Sequence, residues 1–410
     1  MRKILHIDLN NFYASVECLE KPSIKDKVVV VCGDAKNRHG VVLAKNQKAK
    51  KLGIKTGMVI WEAKNLAGEL VVINARFNVY LEYSKKIRTI FEDFTDLIEP
   101  YGIDECWLDV TESIKLLGSA HHIAYLIKER IKSEIGLTVS IGISNNKIYA
   151  KLGSDIAGID EIIEINDKNK EVIIYPLPVE NILYVGHATK KKLNKLGIKT
   201  IGDLANSDLK VLKNYLGKWG QYLHSFANGT DSSLVKPYYY KSPFKSIGNS
   251  LTNYKDIIND HDIMALILIL SESVVFRAKE LKISKCTGVS LWVRNSQLES
   301  TSFQTKILPT LLIDTIAKTA FKLFKDNYNS PLKVRSMGIS IYGFKEDEQI
   351  NFIDYDKLQK QYRLENALLK IKNKYGNSAI ARGVVVRDSR LHSLDIKSEH
   401  IIHPESYFKK

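Results

Sequence analysis

Near the N-terminus, Ile4-Leu5-His6-Ile7 shows no apolar-polar alternation and runs straight into an acid, Asp8. This predicts a strand buried in the middle of a packed sheet. Asp8 is then pushed to the sheet's edge. A second candidate central strand, Cys106-Trp107-Leu108, follows the turn Tyr101-Gly102-Ile103-Asp104-Glu105. If the two strands are neighbours, Asp8, Asp104 and Glu105 meet at one point. Three carboxylates together repel one another unless a divalent cation neutralises them. Magnesium, a hard cation that keeps positions open for substrate phosphates, suits carboxylates on a rigid sheet. In a basic chain this predicts phosphoryl-transfer chemistry.

The 410 residues exceed what one hydrophobic core holds, about 250–300, so several domains are expected. With 44% hydrophobic and 26% charged residues, the chain belongs among ordinary folded proteins. Its longest apolar run, Ile263 to Leu270, falls far short of the roughly 20 residues a membrane span needs. Arg2 and Lys3 precede only a short apolar stretch, so no signal peptide is expected. The four cysteines have no paired metal-ligand spacing, and free thiols in a cytoplasmic protein are the simple reading. The net charge is +15, and between Asn181 and Lys245 eleven lysines face only three aspartates, a local +8. That segment is a candidate for docking on a phosphate backbone.

Along the chain, the first 165 residues or so mix strands and helices. Strands are expected at Lys3–Asp8, Val28–Val31, Leu97–Pro100, Cys106–Val110 and Thr138–Ile143. Helices are expected at Asn11–Leu19, Ala44–Leu52, Trp61–Leu66, Asn78–Phe94, Ile114–Ile135 and from Ser144 onward. A small helical region follows over Val179–Gly229, then a tether from Thr230 to Pro243. Lys245 to Phe344 reads as a strand, a helix (His261–Leu281), strands at Gly288–Arg294 and Ser302–Ile307, a helix (Pro309–Asp326) and a strand (Arg335–Tyr342). Two helices covering one four-stranded sheet make a compact α+β domain. The last stretch is highly charged and carries one expected helix, Asp356–Lys374.

Several spaced motifs, in order, resemble the Y family of translesion DNA polymerases, of the bacterial polymerase IV and V branch. The likeness runs from Met1 to about Phe344. It implies a multidomain α+β, right-hand fold. Its parts would be a ferredoxin-like palm (1–10 and 75–165), small fingers (11–74), a helix-hairpin-helix thumb (166–230), a linker (231–244), an α+β little finger (245–345) and a charged tail (346–410). Asp8-Leu9-Asn10-Asn11-Phe12-Tyr13-Ala14-Ser15-Val16-Glu17 is similar to the family's first motif. The resemblance makes Asp8 a ligand of two magnesium ions, with Leu9 lending its backbone carbonyl. Asp104 and Glu105 complete the catalytic site; Gly102 stands where the family has serine. Tyr13 falls on the steric-gate position, beneath the sugar, where a flat ring leaves no room for a ribose 2′-hydroxyl. Asn10 replaces a frequent aspartate that is not a metal carboxylate.

Nucleotide binding would fall to Asn11, Phe12, Tyr13 and the fingers helix. There the family commonly shows Ser/Thr, Tyr and Arg, and this chain has Ala44, Gln47 and Lys50. Lys50 can meet a phosphate, though as a point charge without Arg's planar fork. Lys45, placed on a helix, would point elsewhere and reads as surface. After Ser144-Asn145-Asn146-Lys147-Ile148-Tyr149-Ala150-Lys151, Gly158-Ile159 replaces an expected Lys-Pro pair, so a phosphate-contacting lysine is missing. In the thumb, Gly186 and Lys190 open a helix that resembles a helix-hairpin-helix element, with Ala188 where a second glycine is usual. His187 reads as surface or phosphate-facing. Lys245, Ser246, Arg277, Arg294 and Arg335 would grip template backbone without reading bases. Gln349, Ile350, Phe352 and Ile353 resemble a degenerate peptide that docks the sliding clamp.

The function expected is error-prone, DNA-directed DNA synthesis on a primer-template with dNTPs and magnesium, by a monomer without membrane contact. Two rivals remain. A palm-domain nucleotide cyclase also uses strand-borne acids and two metals, but has no need of a lysine-rich thumb. A primer-template or clamp-binding accessory with a weakened nucleotide site would explain Ala44, Gln47 and the absent lysine, but has no use for three clustered carboxylates.

Overall fold

The computed structural model describes residues 1–33, 40–240, 243–345 and 355–386, which divide into two compact units. The first is built from residues up to 240, the second from 243 onward. The first unit contains strands β1 (Ile4–Leu9), β2 (Val28–Cys32), β3 (Val42–Lys45), β4 (Leu70–Asn74), β5 (Ile98–Pro100), β6 (Glu105–Asp109), β7 (Val139–Ser144) and β8 (Ile162–Glu164).

Five of these form one sheet in the order β5-β6-β1-β7-β8, which puts β1 in the centre. Side chains alternate across a strand, so β1 serves two layers. Leu5, Ile7 and Leu9 join the core under the helices Phe77–Glu92 and Ala120–Arg130. On the other face Ile4 packs with Trp107, Ala150 and Val235, and the helix Lys147–Ile156 lies over β1 and β7. That helix sits unusually close. A Cβ on Gly142 of β7 would fall 1.9 Å from the Ala150 carbonyl oxygen, and one on Gly153 would fall 2.9 Å from the Gly142 Cα. Two facing glycines are what let helix and sheet meet.

A smaller sheet, β3-β2-β4, holds the core Val30, Val42, Ala49, Ile54 and Ala63. The helix expected over Ala44–Leu52 is corrected here. Val42–Lys45 pairs with β2 as a strand, and the helix begins only at Gln47. β-branched Val41-Val42 favours the strand, while Asn46 caps the helix by accepting from the Ala49 N–H at 3.0 Å. The helices His187–Lys195, Ile201–Ala205, Leu209–Leu216 and Lys218–Asn228 pack around Leu193, Ile201, Leu204, Leu212 and Leu223.

The residues read as a tether are pinned along the first sheet. The Arg2 guanidinium donates to the Ser233 carbonyl (2.7 Å), the Lys236 N–H to Glu99 (3.0 Å) and the Tyr238 N–H to the Asp96 carbonyl (3.1 Å).

The second unit is an antiparallel sheet in the order β11-β10-β12-β9, from β9 (Ser246–Ile257), β10 (Lys285–Asn295), β11 (Ser300–Thr310) and β12 (Val334–Lys345). The helices Asp260–Glu280 and Ile313–Asn327 cover one face through Val289, Leu291, Val293, Met337, Ile339 and Ile341. Pro309, expected to open the second helix, instead lies in β11. Register puts Ser246, Gly248, Ser250, Ser290, Trp292, Arg294, Ser302, Gln304, Gly338, Ser340 and Tyr342 on the opposite face, where Ser and Gly predominate around two aromatic rings. The helix Tyr355–Tyr375 docks on the two covering helices instead: the buried Glu365 carboxylate accepts from the Ile313 N–H (2.8 Å) and from Lys279 (3.3 Å). No helix among the described residues is long and apolar enough to cross a membrane. Gln349, Ile350, Phe352 and Ile353 lie outside the described residues.

Candidate active site

Strands β1 and β6 run antiparallel with Asp8 directly opposite Glu105. Asp104 occupies the turn just before β6, and its carbonyl accepts from the Leu9 N–H at 3.1 Å. The turn is held from outside. Ser84 donates to the Ile103 carbonyl and Arg88 to the Gly102 carbonyl (2.9 Å), both from the helix Phe77–Glu92. Gly102 fits this tight turn: a Cβ there would come 3.0 Å from the Asp104 carboxylate.

Electrostatics separate the three acids. Burial, then the charges of Glu105 and Asp104, push Asp8 up to about 8. Burial and Glu105 push Asp104 up to about 6. Burial alone would raise Glu105 too, but the His6 ring and the Lys151 ammonium outweigh it and bring it down to about 2. Lys151 is the firmer partner, at 2.7 Å; His6 Nε2, at 3.5 Å, is at the limit of hydrogen-bond reach. Lys151 also meets Asp155 at 3.3 Å. Burial holds His6 near 4, so its ring is neutral at physiological pH, with Nδ1 2.6 Å from the Ser154 hydroxyl.

One lysine for three acids leaves a surplus of acidic groups, which the cluster relieves by holding Asp8 protonated at neutral pH. Hard oxygen donors with that surplus fit a divalent cation. The fit is looser than the sequence implied. Among the described residues no three His, Cys, Asp or Glu side chains converge at ligand distance, because Glu105 turns to Lys151.

Asn11, the helix N-cap, adopts a left-handed backbone (φ 50°). Phe12 is buried below it, and Tyr13 lies close enough to Asp104 to feel its charge. The Tyr13 hydroxyl is pushed above its ordinary range by burial and by Asp104. Its ring stacks on Tyr80 (4.4 Å, 11°) and meets Phe77 edge-on (5.9 Å). Asn10 is structural, bridging Ser140 (2.7 Å) and the Asp160 N–H (3.1 Å).

In the smaller sheet, Ala44 is half-buried on β3, Gln47 begins the short helix and Lys50 is exposed in its last turn. Lys45 is corrected from surface to a half-buried strand position. Its ammonium donates to Thr56 (3.1 Å) and is held below its usual value by burial and by Lys50. Two lysines that repel one another suit an anion.

Gly186 caps the helix His187–Lys195, where His187, Lys190, Lys191, Asn194 and Lys195 line a basic hollow. Lys190 is spoken for by Glu180. In the second unit Lys245 and Ser246 are exposed, Arg277 donates to the Gly248 carbonyl (3.0 Å), Arg294 to the Leu298 carbonyl (3.1 Å), and Arg335 is half-buried.

Three family models match the chain: the impB/mucB/samB family at residues 7–155, its C-terminal domain at 244–352, and the DNA polymerase-iota thumb domain at 184–231. The chain belongs to the Y family of DNA polymerases. Relatives agree over nearly the whole length. A DNA polymerase IV of Acetivibrio thermocellus is 44% identical, covering 96% of this chain and 100% of that one. A DNA polymerase IV of Clostridium kluyveri is 37% identical, covering 95% and 99%. The solved Y-family DNA polymerase chimera Dbh-Dpo4(243-245)-Dbh superposes with a TM-score of 0.73 at 25% identity, covering 84% of this chain and 100% of that one. This Y-family chain is therefore a divalent-metal-dependent, DNA-directed DNA polymerase of the translesion type. Neither the cyclase nor the binding-only reading survives.

Arg76 and Tyr80 carry no sequence signal of their own; Glu17 and Lys151 end two of the spaced motifs, but nothing in the sequence shows which acid or base each one meets.

Proposed function

We propose that residues 1–10 and 75–165 act as palm, 11–74 as fingers, 166–230 as thumb and 245–345 as little finger of this polymerase. In this reading Asp8, Asp104, Glu105 and the Leu9 carbonyl would hold two magnesium ions, which would supply Lewis-acid activation of a hydroxyl and charge neutralisation on phosphate. The chain's own residues prepare the ground. Asp8, with a pKa of about 8, holds a proton at neutral pH that a bound cation would displace, whereas Asp104, at about 6, is already largely ionised. Lys151 keeps Glu105 ionised and is the cation that Glu105 must trade when it turns inward. Tyr13 forms the floor under the sugar of the incoming dNTP. Lys45, Gln47 and Lys50 receive the triphosphate, Lys45 supplying a positive charge where Gly158 does not.

The basic hollow at His187–Lys195 and the Ser- and Gly-rich open face of the second sheet take the primer-template backbone. Short Ser and Gly side chains let phosphates approach backbone N–H groups without reading bases. The degenerate peptide Gln349–Ile353 is a candidate for the sliding clamp.

The observation that carries this reading is Asp8 opposite Glu105, with Asp104 in the adjoining turn against Leu9 and one lysine to balance three acids. Single-nucleotide extension of a primer-template tests it. Asp104→Ala or Glu105→Ala should abolish templated dNTP addition and leave primer-template binding nearly intact. Loss of DNA binding instead would make those acids structural.

A further inference from the structure

Excluding a 2′-hydroxyl takes more than a ring in the right place; the ring must not yield. An aromatic side chain has two torsions, and a ring supported only by edge contacts can tilt out of the way. Tyr13 is backed face to face by Tyr80, which is fully buried. Tyr80 in turn cannot slide, because its hydroxyl donates to Glu17 Oε1 at 2.7 Å. Glu17 is fully buried, four residues beyond Tyr13 and so on the same face of the same helix. Arg76 grips both oxygens of that carboxylate, Nε to Oε1 at 2.9 Å and a terminal nitrogen to Oε2 at 2.7 Å. Arg76 is also the N-cap residue of the helix Phe77–Glu92, which carries Phe77 and Tyr80. The forked ion pair therefore clamps the helix bearing the gate to the helix bearing its two backing rings. One turn further on, Tyr83 donates to Glu20 at 2.8 Å and repeats the stitch.

A buried, doubly paired carboxylate is an expensive way to join two helices. Apolar packing of the same volume does as well for stability alone. What the charge-assisted pair adds is fixed geometry: a short, directional tether on the ring that backs the gate. We propose that Glu17, with Arg76 and Tyr80, is a positioning latch that sets sugar selectivity from a distance, although none of the three touches the nucleotide. The inference rests on Tyr13 being the gate.

The test compares efficiencies (kcat/KM) for dNTP and the matching rNTP in single-nucleotide addition by the full chain. Four variants are used: Tyr13→Ala, Tyr80→Phe, Glu17→Gln and Arg76→Met. Tyr80→Phe decides the matter, since it keeps the ring and its packing and removes only the hydroxyl tether. We expect Tyr80→Phe and Glu17→Gln to lower the dNTP/rNTP ratio about tenfold, the weight of one charge-assisted hydrogen bond. The change should come from faster rNTP use, with dNTP efficiency and melting temperature nearly kept in Tyr80→Phe. An unchanged ratio in Tyr80→Phe, with the ratio collapsed in Tyr13→Ala, overturns the latch and leaves the gate standing. Equal loss of dNTP and rNTP use in the latch variants makes the network merely structural and also overturns it. An unchanged ratio in Tyr13→Ala removes the gate itself.

Discussion

Asp8 carries the strain of the acidic cluster, and its titration should be visible in the stability of the whole protein. Its folded pKa is raised to about 8 from an ordinary value of 3.8. The folded state therefore holds a proton that the unfolded chain has lost. The associated stability is complete below about pH 4 and disappears as pH rises through about 8. In chelator, the melting temperature is expected to fall by several degrees between pH 6 and pH 9, and millimolar magnesium should remove most of that fall. Asp8→Asn should melt nearly independently of both. A melting curve flat with pH in the wild type would remove the held proton from Asp8. Lys45 makes the complementary case for the proposed triphosphate site. If it and Lys50 share the triphosphate, Lys45→Ala should raise the KM for dNTP about tenfold, the worth of one charged contact, with kcat changing less. An unaffected KM would return Lys45 to a merely structural bond with Thr56.

Among the elements, the helix Tyr355–Tyr375 shows how a charged stretch becomes part of a core. Glu365 is buried where it meets the N-terminal N–H of Ile313, an end that favours an acid. Glu365→Gln should destabilise the second unit by about 1–3 kcal/mol in chemical denaturation, because a buried donor loses its charged partner. A change under a few tenths would mean the helix is held by its apolar face alone. Its existence was legible in the sequence, as were β1, β2, β6, β7 and the α+β order of the second unit. Periodicity and turn residues are local, and these elements follow them. β4 and β8 were missed although Val71-Val72-Ile73 and Ile162-Ile163 are β-branched runs; such short runs are ambiguous locally, and here pairing with β2 and β7 makes them strands. The same distinction divides the site. Asp8, Asp104 and Tyr13 announce themselves by position in a motif. The partner of Glu105 lies 46 residues away and that of Glu17 lies 59 away, distances no pattern spans.

Across the whole molecule, the excess of lysine should appear as salt dependence. Lys190 is already paired with Glu180, whereas Lys191 is exposed in the basic hollow. Lys191→Ala should reduce the slope of log affinity for primer-template against log salt by about 1, and Lys190→Ala by less. Equal slopes would take the hollow out of the DNA interface. The pinned segment has a consequence of another kind. Val235 closes the cluster of Ile4, Trp107 and Ala150, so the sheet that carries the acids is sealed by residues made long after its last strand. A ribosome adding about 5–20 residues per second needs roughly 4–14 s for the roughly 70 residues between them. Through that interval a nascent chain has the helix Lys147–Ile156 over its central strands but leaves the apolar corner at Ile4 and Trp107 uncovered. A pause in translation there would lengthen the time in which a chaperone, or another nascent chain, can reach it.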